Sequence, residues 1–204
     1  VKVLAEIPPR ASPELRTGTL RRADLEAFDG LLRELGSARV VLLTGSRANR
    51  REAAVGLAAA AVAGGRRTAL LECDLLEPWL ADALGLARAP GLNEYLHGAV
   101  AAEGVLKPVA LAGPGSADAS EPLVCVVAGR PSADGPRLLA SDALSQALRG
   151  LREAYELVVV DGPPLKDEDS LRALLTQVDS TVACLAESDS RSLPISVNGL
   201  VIQT

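Results

Sequence analysis

The 204-residue chain has one histidine, three cysteines, three lysines, four aromatic residues and no methionine. One histidine (His97) leaves no histidine-based zinc cluster and a single candidate for a Ser/His/Asp relay. Three cysteines exclude a four-cysteine zinc site within the chain and any dense disulfide framework. Four aromatics are too few for a base-stacking nucleic-acid platform. A net charge of -5 opposes a broad DNA-binding face, so no nucleic-acid partner is expected. The absent methionine predicts a domain cut from a longer protein, or a processed chain. Long apolar runs are also absent. The longest, residues 53–65, has 13 residues between Glu52 and Arg66, whereas a membrane span needs about 20. Residues 1–10 lack the basic region and apolar core of a signal peptide.

Nearly half of the chain is apolar and 23% is charged, enough to bury a sizeable core. Cys73, Cys125 and Cys184 each sit inside an apolar run and read as buried, unpaired thiols, which fits a reducing cytoplasm. Residues 1–20 are rich in Pro, Arg, Ser and Thr and read as a leader or linker, with a short strand at 3–7. Residues 21–204 read as one domain. A helix is expected at 21–36, where Leu25, Phe28, Leu31, Leu32 and Leu35 fall at helical spacing and Gly36 suits the stop. Strands are expected at 40–44, 68–71, 123–127, 157–160, 181–185 and 200–202. Between them come helices at 50–64 (alanine-rich), 78–84, 92–96, 137–155 and 169–177. Residues 113–121, rich in Gly, Ser, Ala and Pro, read as a mobile loop.

Strands separated by helices over this length predict an α/β fold, an open, doubly wound and mainly parallel sheet with helices on both faces. Ligands in such sheets sit at the carboxyl ends of the strands. Three stretches lie there: residues 44–52, 72–74 and 161–164.

Those stretches carry motifs in a telling order. Leu70-Leu-Glu-Cys-Asp-Leu-Leu-Glu-Pro78 resembles a second Walker A segment. Gly91-Leu-Asn-Glu-Tyr-Leu-His-Gly98 resembles a Gly-Leu-x-x-x-Leu-x-Gly motif. Ala128-Gly-Arg-Pro131 followed by Leu138-Leu-Ala-Ser141 resembles the stretch before a long helix. Tyr155-Glu-Leu-Val-Val-Val-Asp-Gly-Pro-Pro164 resembles a Walker B segment. Together with Glu26-Ala-Phe28 and the strand at 40–45, they resemble the bacterial tyrosine kinases of capsular and exopolysaccharide synthesis, a branch of the Min/Par-type P-loop ATPases. The resemblance runs from about Ile7 to the C-terminus. It implies a P-loop NTPase-like fold, ATP and magnesium as ligands, and a place at the cytoplasmic face of a membrane. The implied partner is a polysaccharide chain-length or export protein, or fused transmembrane segments. Homo-oligomerisation is implied too, but the family's Glu-x-x-Arg-x-x-Arg helix keeps only Glu26 here, its arginines being Asp29 and Leu32.

By the same resemblance, Glu72, Asp74 and Asp161 are the candidate catalytic acids, with Asp74 and Asp161 the candidate magnesium positions. Glu72 is one methylene longer than the usual aspartate. Leu76 stands at the family's arginine, and Gly162 at the Thr beside the Walker B aspartate.

The phosphate loop departs from its template. GxxxxGK[ST] needs glycines that let backbone N–H groups wrap the phosphates, a lysine to reach the β- and γ-phosphates, and a hydroxyl for magnesium. This chain reads Gly45-Ser-Arg-Ala-Asn-Arg-Arg-Glu52. Gly45 is kept, while Arg50, Arg51 and Glu52 replace the second glycine, the lysine and the hydroxyl. No register restores the motif, because no lysine lies between Lys2 and Lys107. Arginine's rigid fork does not replace a threaded lysine. The Glu52 carboxylate is expected to take the anion position at a helix N-terminus. The expected function is thus a catalytically degenerate tyrosine-kinase-like domain, a docking or regulatory module of polysaccharide chain-length control and export. The alternatives are an active autokinase using Arg50 or Arg51, and a Min/Par-type positioning ATPase. Tyr95, Tyr155 and Trp79 read as packing residues, and His97 as a contact at a helix C-terminus.

Overall fold

The computed structural model describes residues 3–7, 22–110, 122–186 and 199–203, with side chains for 28–110, 122–186 and Gly199. The loop expected at 113–121 lies outside these, as do residues 1–2 and 8–20 of the expected leader.

Eight strands are described: β1 (Val3–Ile7), β2 (Val40–Gly45), β3 (Thr68–Glu72), β4 (Lys107–Val109), β5 (Leu123–Val126), β6 (Leu157–Asp161), β7 (Ser180–Ala186) and β8 (Gly199–Gln203). They form one sheet in the order β1-β8-β7-β2-β6-β3-β5-β4. Every neighbouring pair is parallel except β4 with β5. Seven α-helices accompany them: α1 (Arg22–Leu35), α2 (Arg47–Ala63), α3 (Leu80–Leu84), α4 (Leu92–Leu96), α5 (Gly135–Leu139), α6 (Asp142–Ala154) and α7 (Glu168–Leu175). The expected doubly wound, mainly parallel α/β fold is the observed one. None of the described helices is long and apolar enough to cross a membrane.

Apolar side chains alternate between two cores because successive strand residues point to opposite faces. Val41, Leu43, Leu70 and Val159 face one core with α1 and α2, while Leu42, Leu71, Val158 and Val160 face the other with α4, α6 and α7. The alanine-rich α2 lies flat on the first face, with Ala53, Ala54, Leu57, Ala58 and Ala61 buried. α1 reaches it through Phe28, whose ring sits in the notch left by Gly56. A Cβ on Gly56 would be 2.2 Å from that ring. The three cysteines are buried and unpaired.

Three local readings need correction. The helix expected at 50–64 begins at Arg47, because the chain turns after β2 through Ser46 alone. The helix expected at 137–155 is two helices: α5 ends at Leu139, and Ser141 starts α6 by accepting the Leu144 amide on its side chain. The apolar residues on either side of that cap share one face, so periodicity alone reads through the break. β4 was not anticipated. It is three residues long, and Pro108 disguises it, a residue that a sheet tolerates on an edge strand.

Candidate functional site

The central order β7-β2-β6-β3 brings the carboxyl ends of β2, β6 and β3 side by side. Asp161 pairs in register with Leu43 on one side and with Glu72 on the other. Gly45, Glu72, Asp74 and Asp161 therefore converge at one edge, as the strand-end rule requires. Gly162 continues this edge: its amide donates to the Leu43 carbonyl at 2.9 Å. A Cβ there would be 2.5 Å from Leu42 Cδ1 and 3.0 Å from the Leu43 carbonyl oxygen, so the threonine of the resembling motif would need Leu42 to move.

The connection from β2 to α2 decides the character of the site. Gly45 has φ +134, and a Cβ on it would lie 2.0 Å from the Cys184 carbonyl oxygen. The Ser46 amide donates to that same oxygen at 3.0 Å, and the helix begins at the next residue. A GxxxxGK[ST] loop instead spends several non-helical residues curling its amides around phosphate. Here residues 47–52 are already helical, and the Arg50 amide is bonded to the Ser46 carbonyl at 3.0 Å. Glu52 lies in the second turn of α2, not at its N-terminus, so the expected capping of the anion position does not occur.

With the loop gone, Arg50 points inward from the first turns of α2. It is the largest fully buried side chain among the described residues. Its Nε donates to Asp161 Oδ1 at 2.6 Å, and its Nη2 to Asp74 Oδ2 at 2.8 Å. Nη1 is buried without a partner among the described residues. Burial opposes the charge on Arg50, but Asp161 and Asp74 outweigh it and hold the guanidinium above its ordinary pKa. Burial raises the Asp161 carboxyl, against the pull of Arg50 and of Trp79. A fixed organic cation thus sits between the two carboxylates that the sequence marked as magnesium positions.

The segment after β3 closes over this pair. Trp79 donates its indole N–H to Asp161 Oδ2 at 2.6 Å. The Trp79 and Leu80 amides donate to Glu72 Oε1 at 2.6 and 2.9 Å, and the Ala128 amide to Glu72 Oε2 at 2.8 Å. Glu72 is fully buried, and burial lifts its carboxyl from 4.5 to about 7. It ties the start of α3 to the loop after β5. Arg51 lies over the Trp79 ring, 5.1 Å from its centroid, and donates to the Glu77 carbonyl at 2.8 Å. Burial, with repulsion from Arg50, lowers the Arg51 pKa. Arg47 pairs with Glu77, completing the cover.

The structure brings together Gly45, Arg50, Arg51, Glu72, Asp74 and Asp161, but as a cluster whose charged side chains bond to one another, to Trp79 and to nearby backbone. Sequence reading missed the indole of Trp79 as a polar partner and the inward path of Arg50. A signal for the second existed: Arg50 shares the helical stripe of Ala53, Ala54, Leu57 and Ala61, so it falls on the buried face. His97 caps α4, with Nδ1 2.8 Å from the Asn93 carbonyl. Among the described residues, no group of three or more His, Cys, Asp or Glu side chains is placed to hold a metal ion.

The sheet order and the strand-end acids define a P-loop NTPase-like α/β fold. Within that class the fold is that of bacterial tyrosine-kinase domains. The kinase domain of the Escherichia coli tyrosine kinase ETK superposes on this chain with a TM-score of 0.79 at 17% identity, covering all of this chain and 90% of that one. In sequence, the tyrosine-protein kinase ptk of Acinetobacter johnsonii is 24% identical over 135 residues, 65% of this chain and 17% of that protein. The septum site-determining protein MinD of Pyrococcus horikoshii, complexed with Mg-ADP, shares the fold more loosely. Its TM-score is 0.55 at 16% identity, over 72% of this chain and 58% of that one. No protein-family model matches the chain.

Proposed function

We propose that this chain is a catalytically degenerate tyrosine-kinase-like domain that works as a docking or regulatory module and not as a phosphotransferase. The single observation that carries this reading is Arg50 seated between Asp74 and Asp161. Magnesium needs oxygen ligands with room for octahedral geometry and water. Two carboxylates already engaged by one buried guanidinium, with Trp79 across the opening, leave no such room. The one-residue turn at Ser46 supports the same conclusion, since the residues present do not fit a wrapped triphosphate. The setting follows from the resemblance in the motifs: the cytoplasmic side of a complex controlling polysaccharide chain length or export, reached through a membrane partner or fused membrane segments.

Calorimetry with ATP and magnesium tests this directly. The expected result is no heat of binding at micromolar protein concentration. Micromolar affinity that Asp161→Ala abolishes would sink the proposal. The sequence match to a tyrosine kinase favours one competing reading, an active autokinase. That reading requires phosphotyrosine to appear on the chain after incubation with ATP and magnesium.

A further inference from the structure

The face of the sheet opposite α2 holds a cavity of about 250 Å3 between α4, α6 and the 3-10 turn Ala102–Val105. Its floor is made by Leu71, Leu92, Val126 and Leu151, all buried. The space exists because α6 contributes Ala147, Gly150 and Ala154 to this wall, residues too small to reach across. Among the lining residues Glu103 alone is charged, and it lies exposed at the mouth beside Leu106. Leu106 is one of two large hydrophobic side chains exposed among the described residues. This cavity shares no residue with the Arg50 cluster.

Size and charge select the occupant. A dry apolar cavity of about 150 Å3 accepts benzene, whereas drug-sized ligands fill about 300–1,000 Å3. The volume here lies between, which suits one ring with a short chain. An apolar floor with a lone carboxylate at the rim favours a cationic head and disfavours an anionic one. We propose that this cavity binds a small primary amine carrying one ring-sized apolar group, the apolar end against Leu71 and Val126 and the ammonium at Glu103.

The test is an NMR titration of the isotopically labelled chain with 2-phenylethylamine, set against 3-phenylpropionate at matched concentration. Saturable shifts at the amides of Val105, Gly150 and Leu151, with the carboxylate probe about tenfold weaker, are the expected result. Gly150→Leu should abolish the shifts by filling the mouth. A Cβ at Gly150 meets nothing within 4 Å, so the start of the new side chain is accommodated, and a thermal melt checks that the variant is folded. Glu103→Gln should erase the preference for the amine while leaving ring binding. Absence of saturable shifts at millimolar amine overturns the proposal. So does undiminished binding by a folded Gly150→Leu chain, or equal binding of the two probes by the unmodified one.

Discussion

The Nε of Arg50 lies 2.6 Å from Oδ1 of Asp161, and neither side chain reaches solvent. With Asp74 at 2.8 Å on the other arm, this pair fastens α2 to the ends of β6 and β3. A buried pair of this kind gives little net stability compared with apolar residues of the same shape, because both charges leave water. Removing one partner is different, since the other charge is stranded.

Arg50→Ala should therefore cost about 3–5 kcal/mol, measured by urea unfolding. The variant Arg50→Met with Asp74→Asn and Asp161→Asn should lose less than Arg50→Ala alone, because it strands no charge. If the triple variant is the less stable of the two, stranded charge is not the source of the loss.

Arg50 occupies the space between two carboxylates, so its removal should create a divalent-cation site. Thermal melts of Arg50→Ala should rise with magnesium, by about 1.4 kcal/mol in stability at about 10 mM for a millimolar site. The unmodified chain should not respond beyond the general effect of salt. A matched calcium series separates charge from size, since magnesium demands the tighter octahedral shell.

Trp79 is the second lock. Trp79→Phe keeps an apolar ring beside Arg51 but deletes the N–H that reaches Asp161 Oδ2. A buried acceptor losing its donor costs about 1–3 kcal/mol. The loss should shrink in an Asp161→Asn background, so a double-mutant cycle reads the coupling; additivity would mean that the hydrogen bond contributes nothing.

Much of this arrangement was legible from the amino-acid order alone. The strand-end rule placed residues 44–52, 72–74 and 161–164 at one edge, and the sheet order confirms it. The fate of the site was not legible in full. A motif scan sees Arg50 as a failed glycine, because it tests positions against a phosphate loop. The side chain's true direction depends on where α2 begins, and that is set by the Ser46 amide meeting the Cys184 carbonyl, a partner 138 residues away in sequence. The role of Trp79 is likewise tertiary: its acceptor is on a strand that follows it by 82 residues. Periodicity also read α5 and α6 as one helix, since the break at Ser141 changes hydrogen bonding without changing the apolar stripe.

Glu72 predicts a pH dependence of definite sign. Its folded-state carboxyl titrates at about 7 against an ordinary 4.5, with burial as the main cause. A raised folded value means that the folded chain holds the proton more tightly than the unfolded one. The contribution is fully present below pH 4.5 and is lost as pH rises through about 7. The difference corresponds to about 3 kcal/mol at most. Glu72→Gln should flatten the fall in stability between pH 5 and 8, read from urea midpoints across that range. An unchanged pH profile in the variant would place the titration elsewhere.

Gly56→Ala tests the packing that carries α1. The added methyl would fall 2.2 Å from the Phe28 ring, so the ring or one of the two helices must shift. Overpacking of this sort costs about 1–3 kcal/mol, outweighing the roughly 1 kcal/mol gain in helix propensity from glycine to alanine. Phe28→Leu in the same background should recover part of the loss, because the smaller side chain vacates the notch. A net gain in stability from Gly56→Ala alone would show that the Phe28 ring or α1 adjusts freely on α2.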